Sequence, residues 1–308
     1  MDESKGPIVI AGSVNIDISL AVSRLPGPGE TLLADAISVS GGGKSGNQAV
    51  ACGRLGGDIA LVARVGDDDY GRLLMANMAE AGVNTDYLTV DPVAPTGQAY
   101  IGVAASGENN IIVVQGANGQ LLPETVKAAL PLIQGASYVS TQLEIPLATV
   151  HTLSELCAAH KVRFVLNPSP VAALPDELLS SVSILVLNEH ELAVLAGPGD
   201  EAAQLARLLG RGVGQVVLTK GGDGVVLADK NRTAHYDAFK VDVVDTTGAG
   251  DTFTGALLVA LSENRDMAEA IAFAQRAAAI QVTRRGAQDA VPWRAEVDSV
   301  TWPVNEQR

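Results

Sequence analysis

Short continuous apolar runs alternate with helical patterns along most of this chain. The runs fall at 8–11, 59–65, 138–142, 162–166, 184–187 and 216–219. A run with no polar alternation reads as a strand buried on both faces. Between and after the runs, helical periodicity covers 70–81, 123–134, 146–160, 189–196, 200–211, 252–262 and 267–283. Strands spaced by helices in this order predict an α/β fold with a central, mostly parallel sheet flanked by helices and joined by right-handed crossovers. A length of 308 residues allows one large domain or two modest ones. No internal repeat or low-complexity linker divides the chain, so 1–308 is expected to be a single domain.

Two regions break the rhythm. Residues 15–40 and 87–114 lack a good helix and carry alternating or β-branched runs, among them 88–90, 100–103 and 111–114. They predict a small β-sheet projecting from the body, formed by about 14–40 and 87–115. Such a sheet would serve as a lid over the carboxyl edge of the large sheet, as an oligomer contact, or as both.

Charge narrows the partners. With 21 basic and 35 acidic residues the net charge is −14, which argues against nucleic acid or an anionic membrane surface. A local cluster of backbone amides can still bind phosphate in such a chain. Two cysteines, Cys52 and Cys157, cannot build a disulfide framework or a four-thiolate zinc site. The four histidines show no metal spacing. Residues 1–6 do not read as a signal peptide, and no apolar stretch reaches the ~18 residues of a membrane span. The expected location is the cytoplasm.

Glycine is in surplus, 32 of 308 residues, and its positions are informative. Residues 40–48 read Ser-Gly-Gly-Gly-Lys-Ser-Gly-Asn-Gln. A P-loop would require glycine where Ser38 stands, so the segment is a glycine-rich turn entering a helix. It is either a plain structural turn or a place where the backbone approaches a ligand, with Lys44 and Asn47 beside it. Residues 245–253 read Asp-Thr-Thr-Gly-Ala-Gly-Asp-Thr-Phe, again ahead of a helix. The free amides of that helix start form an anion site. Asp251 either caps the helix or touches a hydroxyl that attacks a bound anion. Residues 219–224 form a hairpin or strand-end loop. Polar groups also follow the strands at 167–170 and 188–191, where α/β sheets bind ligands.

Together these motifs resemble the ribokinase-like family of carbohydrate kinases. Its two signature regions fall at 41–56 and 245–255, and segments 12–17, 26–31 and 283–288 fit as well. The resemblance implies a ribokinase-like sheet with a β lid, and dimers in which the lids pack together. It also implies transfer of the ATP γ-phosphoryl group to the primary 5-hydroxyl of a sugar, ribose first of all. Asp251 then matches the catalytic base, and the amides of Gly248, Ala249 and Gly250 match the anion hole. Asn15, Asp17, Gly43, Lys44, Asn47 and Glu144 match sugar contacts. Asn188 and Glu191 match a motif that positions phosphate and Mg2+ through water. Thr219, Gly221 and Gly224 match the loop along the ATP phosphates and ribose, and Gln275 falls near the adenine pocket. A monovalent cation, K+, is implied beside the anion hole, held by the Asp245 carboxylate and carbonyls at Thr247, Gln281, Arg284 and Gly286. Two positions depart from the pattern: Ala290 stands where Ser is usual, and Ser45-Gly46 where Gly-Ala is usual.

Sibling substrates remain open. A sugar phosphate would ask for more lid cations than Arg24, Lys44 and Arg54 supply. A nucleoside would ask for aromatic walls, and residues 12–69 contain no aromatic. Other sugars, such as deoxyribose, fructose or ketodeoxygluconate, stay as alternatives. A dehydrogenase is excluded because residues 12–17 lack the dinucleotide fingerprint. A silent sugar sensor would have no use for Asp251.

Overall fold

In the computed structural model, which describes residues 6–300 and 306–307, the apolar runs assemble into one sheet of ten strands. Its order is Glu306–Gln307, Thr233–Tyr236, Val225–Asp229, Gln215–Thr219, Ile184–Asn188, Arg163–Leu166, Tyr138–Thr141, Ile8–Ala11, Ile59–Gly66 and Leu88–Asp91. From Gln215–Thr219 to Leu88–Asp91 neighbouring strands are parallel, and the other three pair antiparallel. Residues 1–5, on which the signal-peptide reading rests, lie outside the described range.

Both faces are covered, as the unbroken apolar runs require. Ile8 and Ile10 point into one core with helices Lys44–Arg54, Ala249–Ser262 and Met267–Gln281, while Val9 and Ala11 point into the other with Leu147–His160 and Glu201–Gly210. Period-two alternation therefore sends successive apolar side chains to opposite layers. Among the described residues no helix is long and apolar enough to cross a membrane.

The expected helix at 123–134 is two shorter ones, Pro123–Ala128 and Leu130–Gln134. Pro131 has no N–H to carry the ladder across that junction. The loop at 219–224 closes a hairpin between Gln215–Thr219 and Val225–Asp229, one of the two readings its sequence left open.

A second, four-stranded sheet runs in the order Ala36–Gly42, Asn15–Val22, Gly97–Ala104, Asn109–Val114. Its central pair is parallel and its outer pairs antiparallel. One expected member is absent: Leu88–Asp91 lies at the edge of the large sheet, Leu88 paired with Ala63. Its half-buried alternation suits an edge strand of either sheet, so only tertiary pairing decides. On one face of the small sheet Val39, Ile18, Tyr100 and Ile112 form a cross-strand row, and Ile37 and Ile112 are 66% and 68% exposed.

Helices Lys44–Arg54 and Ala249–Ser262, which carry the two glycine-rich starts, cross in close contact at Gly255. A Cβ there would lie 2.7 Å from both the Ala51 Cβ and the Gln48 carbonyl oxygen, while one at Gly210 meets nothing within 4 Å. Gly255→Val is therefore expected to destabilise the protein by about 1–3 kcal/mol and lower its urea midpoint. Gly210→Ala is expected to leave the midpoint unchanged or raise it slightly.

Candidate active site

The carboxyl edge of the large sheet collects the polar groups picked out in the sequence. Asn15, Glu144, Asn188 and Thr219 follow or end strands Ile8–Ala11, Tyr138–Thr141, Ile184–Asn188 and Gln215–Thr219. Facing them is the start of helix Ala249–Ser262. Gly248 caps it in the left-handed region, φ 73°, and no side chain caps it. Asp251 therefore does not act as the N-cap. It lies in the first turn, 7% exposed, and its carboxylate turns across to the other glycine-rich helix.

Two amides meet it there. Asn47 Nδ2 donates to Asp251 Oδ2 at 2.9 Å, and Gln48 Nε2 donates to Oδ1 at 3.3 Å. Burial pushes the Asp251 pKa up, against the Lys44 ammonium and these two hydrogen bonds, with Glu144 adding repulsion. Burial also works against the Lys44 charge, but attraction from Asp251, Glu144 and Glu191 outweighs it, and its pKa is raised.

The expected sugar contacts gather beside this acid. Glu144 Oε2 accepts from Ser13 Oγ at 2.5 Å and from the Lys44 N–H at 3.1 Å. Asn15 Oδ1 accepts from Asn118 Nδ2 at 2.6 Å. Gly43 caps helix Lys44–Arg54. Gly42 leaves the room that Asp17 occupies, since a Cβ there would fall 2.3 Å from the Asp17 carboxylate. Asp17 is pushed up to about 7 by burial, then by Glu144 and Asp251.

Two cavities adjoin. One of about 430 Å³ is lined by Thr219, Gly221, Gly224 and Gln275, with apolar walls from Val225, Val243, Phe253 and Val282. The other, about 200 Å³, is lined by Lys44, Asn188, Glu191, Gly248, Gly250 and Asp251. Thr219 and Gly250 line both, so the smaller cavity, which Asp251 lines, adjoins the larger. Asn188 and Glu191 also form a capping box, each side chain accepting from the other's backbone N–H at 2.9 Å. The Ala249 N–H turns onto the Thr246 carbonyl at 3.2 Å. Gln275 Nε2 donates to the carbonyls of Tyr236 and Asp237, both at 3.2 Å.

The residues matched to a monovalent cation lie behind the helix start. Asp245 accepts from the Thr247 N–H and hydroxyl and from the Gly286 N–H, at 2.9, 2.7 and 2.9 Å. Burial raises its pKa, and these bonds more than offset that and hold it below the usual range. The Gln281 side chain ties this turn together: its Nε2 donates to Thr247 O at 2.8 Å and Ala287 O at 3.2 Å. The Arg284 guanidinium turns away to Glu296, and buried Ala290 offers no side-chain oxygen. Of the matched carbonyls, that of Thr247 accepts from Gln281 Nε2 and that of Gln281 from the Arg284 N–H at 2.9 Å. Among the described residues no group of three or more His, Cys, Asp or Glu could hold a metal ion.

Sequence reasoning missed Gln48, Gln142, Gln288 and Asn118 as parts of this site. Only Gln142 carried a signal, an amide at the end of the apolar run 138–142; Gln48, Gln288 and Asn118 stand in turn, loop or helix-start segments where an amide is ordinary. Ser45, a departure from the family pattern, has a partner here: its hydroxyl donates to Gln142 Oε1.

Comparison with known proteins places nearly the whole chain in one family of kinases. The model of the pfkB family carbohydrate kinases matches residues 6–294. A ribokinase of Staphylococcus aureus is 39% identical over 300 residues, 95% of this chain and 99% of its own. A deoxyribokinase of Salmonella typhi is 33% identical over 291 residues, 92% of this chain and 95% of its own. The solved structure of Arabidopsis thaliana ribokinase complexed with ribose and ATP superposes with a TM-score of 0.90 at 34% identity, covering 95% of this chain and 97% of that one.

The Asp17 environment sets a stability test. The unfolded chain releases this proton near the ordinary 3.8, the folded ligand-free protein near 7. Between those values the folded state binds more protons, so stability falls as pH rises through that window. Asp17→Asn is expected to remove that part of the slope, worth at most about 4 kcal/mol at ~1.4 kcal/mol per pH unit. Urea unfolding of both proteins at pH 5, 6, 7 and 8 measures it.

Proposed function

The chain belongs to the pfkB family of carbohydrate kinases, and we propose that its reaction is transfer of the ATP γ-phosphoryl group to the primary 5-hydroxyl of D-ribose. The observation that carries this reading is the buried Asp251 carboxylate, aimed by two amides, beside a glycine-rich helix start where two cavities join. In this reading Asp251 takes the hydroxyl proton as the sugar oxygen attacks phosphorus and ADP leaves. The amides of Gly248 and Gly250 stabilise the transferring group, joined by that of Ala249 once it leaves the Thr246 carbonyl it holds in the ligand-free protein. Asn15, Asp17, Gly43, Lys44, Asn47 and Glu144 pair the sugar hydroxyls, so an analogue lacking one leaves a buried polar group unpaired.

ATP occupies the larger cavity, its phosphates and ribose along Thr219, Gly221 and Gly224 and its base toward Gln275. Mg2+, carried by the nucleotide near Asn188 and Glu191, supplies charge neutralisation on the phosphates. K+ beside Asp245, with carbonyls from Thr247, Gln281, Arg284 and Gly286 and with Ala290 nearby, steadies the helix start. The small sheet is the lid that excludes water. Its exposed apolar face suits the matching face of a second copy, giving a homodimer. The enzyme works in the cytoplasm on small molecules rather than on nucleic acid or membrane.

The deoxyribokinase relative favours one second reading, 2-deoxyribose as the preferred sugar. A phosphorylation screen with ATP of ribose, 2-deoxyribose, fructose and adenosine decides between them. Ribose is expected to give the highest kcat/KM, and a higher value for any other compound overturns the assignment. Asp251→Asn is expected to bind ATP while losing roughly 10²–10⁴-fold in turnover. Turnover close to wild type would remove Asp251 as the base. Replacing sodium by potassium is expected to raise the rate, and equal rates in the two buffers would contradict the cation site.

A further inference from the structure

The two amides on Asp251 are themselves held. A primary amide has a donor end and an acceptor end, and rotating it by half a turn would present oxygen to the carboxylate. Gln48 Oε1 is occupied: it accepts from Gln142 Nε2 at 2.5 Å and from Ser140 Oγ at 3.3 Å. Gln142 is fixed in turn by the Ser45 hydroxyl on its own oxygen. Asn47 Oδ1 is occupied too: it accepts from Gln288 Nε2, which also donates to the Gly42 carbonyl, both at 3.2 Å.

Every member of this network is buried. Gln48 is 0%, Gln142 1%, Gln288 3% and Asn47 7% exposed. A reversed amide would set a carbonyl oxygen against the Asp251 carboxylate and leave buried donors and acceptors mismatched. The backbone is shaped to admit Gln288, since a Cβ on Gly41 would fall 2.1 Å from its Oε1. Its loop is anchored from the other side, where Arg54 donates to the carbonyls of Gln288 and Val291 at 2.7 and 2.9 Å.

We infer that Gln142 and Gln288 are positioning residues: acting through Gln48 and Asn47, they fix two N–H groups on Asp251 and keep its carboxylate a proton acceptor. This rests on the reading of Asp251 as the base. The charged groups around the acid are Lys44, which favours its ionised form, and Glu144 and Asp17, which oppose it, with Glu191 acting on Lys44. Against burial and two neighbouring acids, the correctly turned amides add to the single cation. Loosening either amide leaves Asp251 holding its proton to higher pH.

The test is the pH profile of kcat with saturating ATP, magnesium and D-ribose, in wild type, Gln142→Met, Gln288→Met and Asp251→Asn. The acid limb is expected to move upward by about half to one pH unit in each Met variant. That is roughly a 3–10-fold loss on the acid side, recovered above the limb, with KM for ATP unchanged. A loss equal at every pH, or an unmoved limb, overturns the inference while leaving Asp251 as the base. Full turnover by Asp251→Asn overturns the base, and this inference with it.

Side-chain amide NMR of ligand-free wild type and Asp251→Asn needs no substitution within the amide network. With Asp17→Asn present in both proteins, to remove the other raised carboxyl beside Gly42, the Gln288 and Gln142 amide protons are expected to titrate with Asp251 in place and stay flat in Asp251→Asn. Signals that titrate in both proteins, or in neither, overturn the coupling.

Discussion

A carboxylate buried against a helix start is the constraint around which this site is built. Burying an ionised group costs several kcal/mol unless it is paired and hydrogen-bonded. Asp251 answers that cost with the Lys44 charge and the amides of Asn47 and Gln48. All three partners come from helix Lys44–Arg54, so that helix has to lie tightly against Ala249–Ser262. Small residues at the crossing, Gly255 facing Ala51 and Cys52, permit the approach. The Cys52 thiol completes it by donating to the Gly255 carbonyl at 3.4 Å.

The same device recurs across the site. Asn118 holds the oxygen of Asn15, Gln142 that of Gln48, and Gln288 that of Asn47. In each pair a second amide occupies the acceptor end, and in Asn47 and Gln48 the N–H end then meets Asp251. Such a network is rigid only when every member is satisfied, so it tolerates little substitution. Part of the glycine surplus belongs to the same design. Gly42 gives its side-chain space to Asp17, and Gly41 to Gln288. The acidity of the chain constrains the site less than its net charge suggests, because anions there would meet backbone amides and Lys44.

Much of the sheet was legible because burial on both faces leaves a simple mark, an apolar run with no alternation. The two glycine-rich helix starts were legible for a similar reason: turns entering helices need glycine, and strand ends carry polar groups. The membership of Leu88–Asp91 was not legible, because an edge strand has the same alternation in either sheet. The antiparallel pair Val225–Asp229 and Thr233–Tyr236 is hard to read from sequence because no helix separates its strands. The amide network was hidden for a deeper reason. Gln48, Gln142 and Gln288 are far apart in sequence, and a polar residue in an apolar context names no partner. The spacing of three between Asn188 and Glu191, which the family resemblance assigns to the phosphate side, is equally that of a capping box.

The central claim is that Asp251 receives the proton of the sugar hydroxyl that attacks phosphorus. A crystal structure with D-ribose and a non-hydrolysable ATP analogue measures this most directly. The account predicts the 5-hydroxyl oxygen within about 2.6–3.2 Å of an Asp251 carboxylate oxygen. The γ-phosphoryl group should lie at the amides of Gly248–Gly250, in line with that hydroxyl. A sugar whose 5-hydroxyl lies beyond hydrogen-bond reach of Asp251, with another side chain on that oxygen, would contradict it.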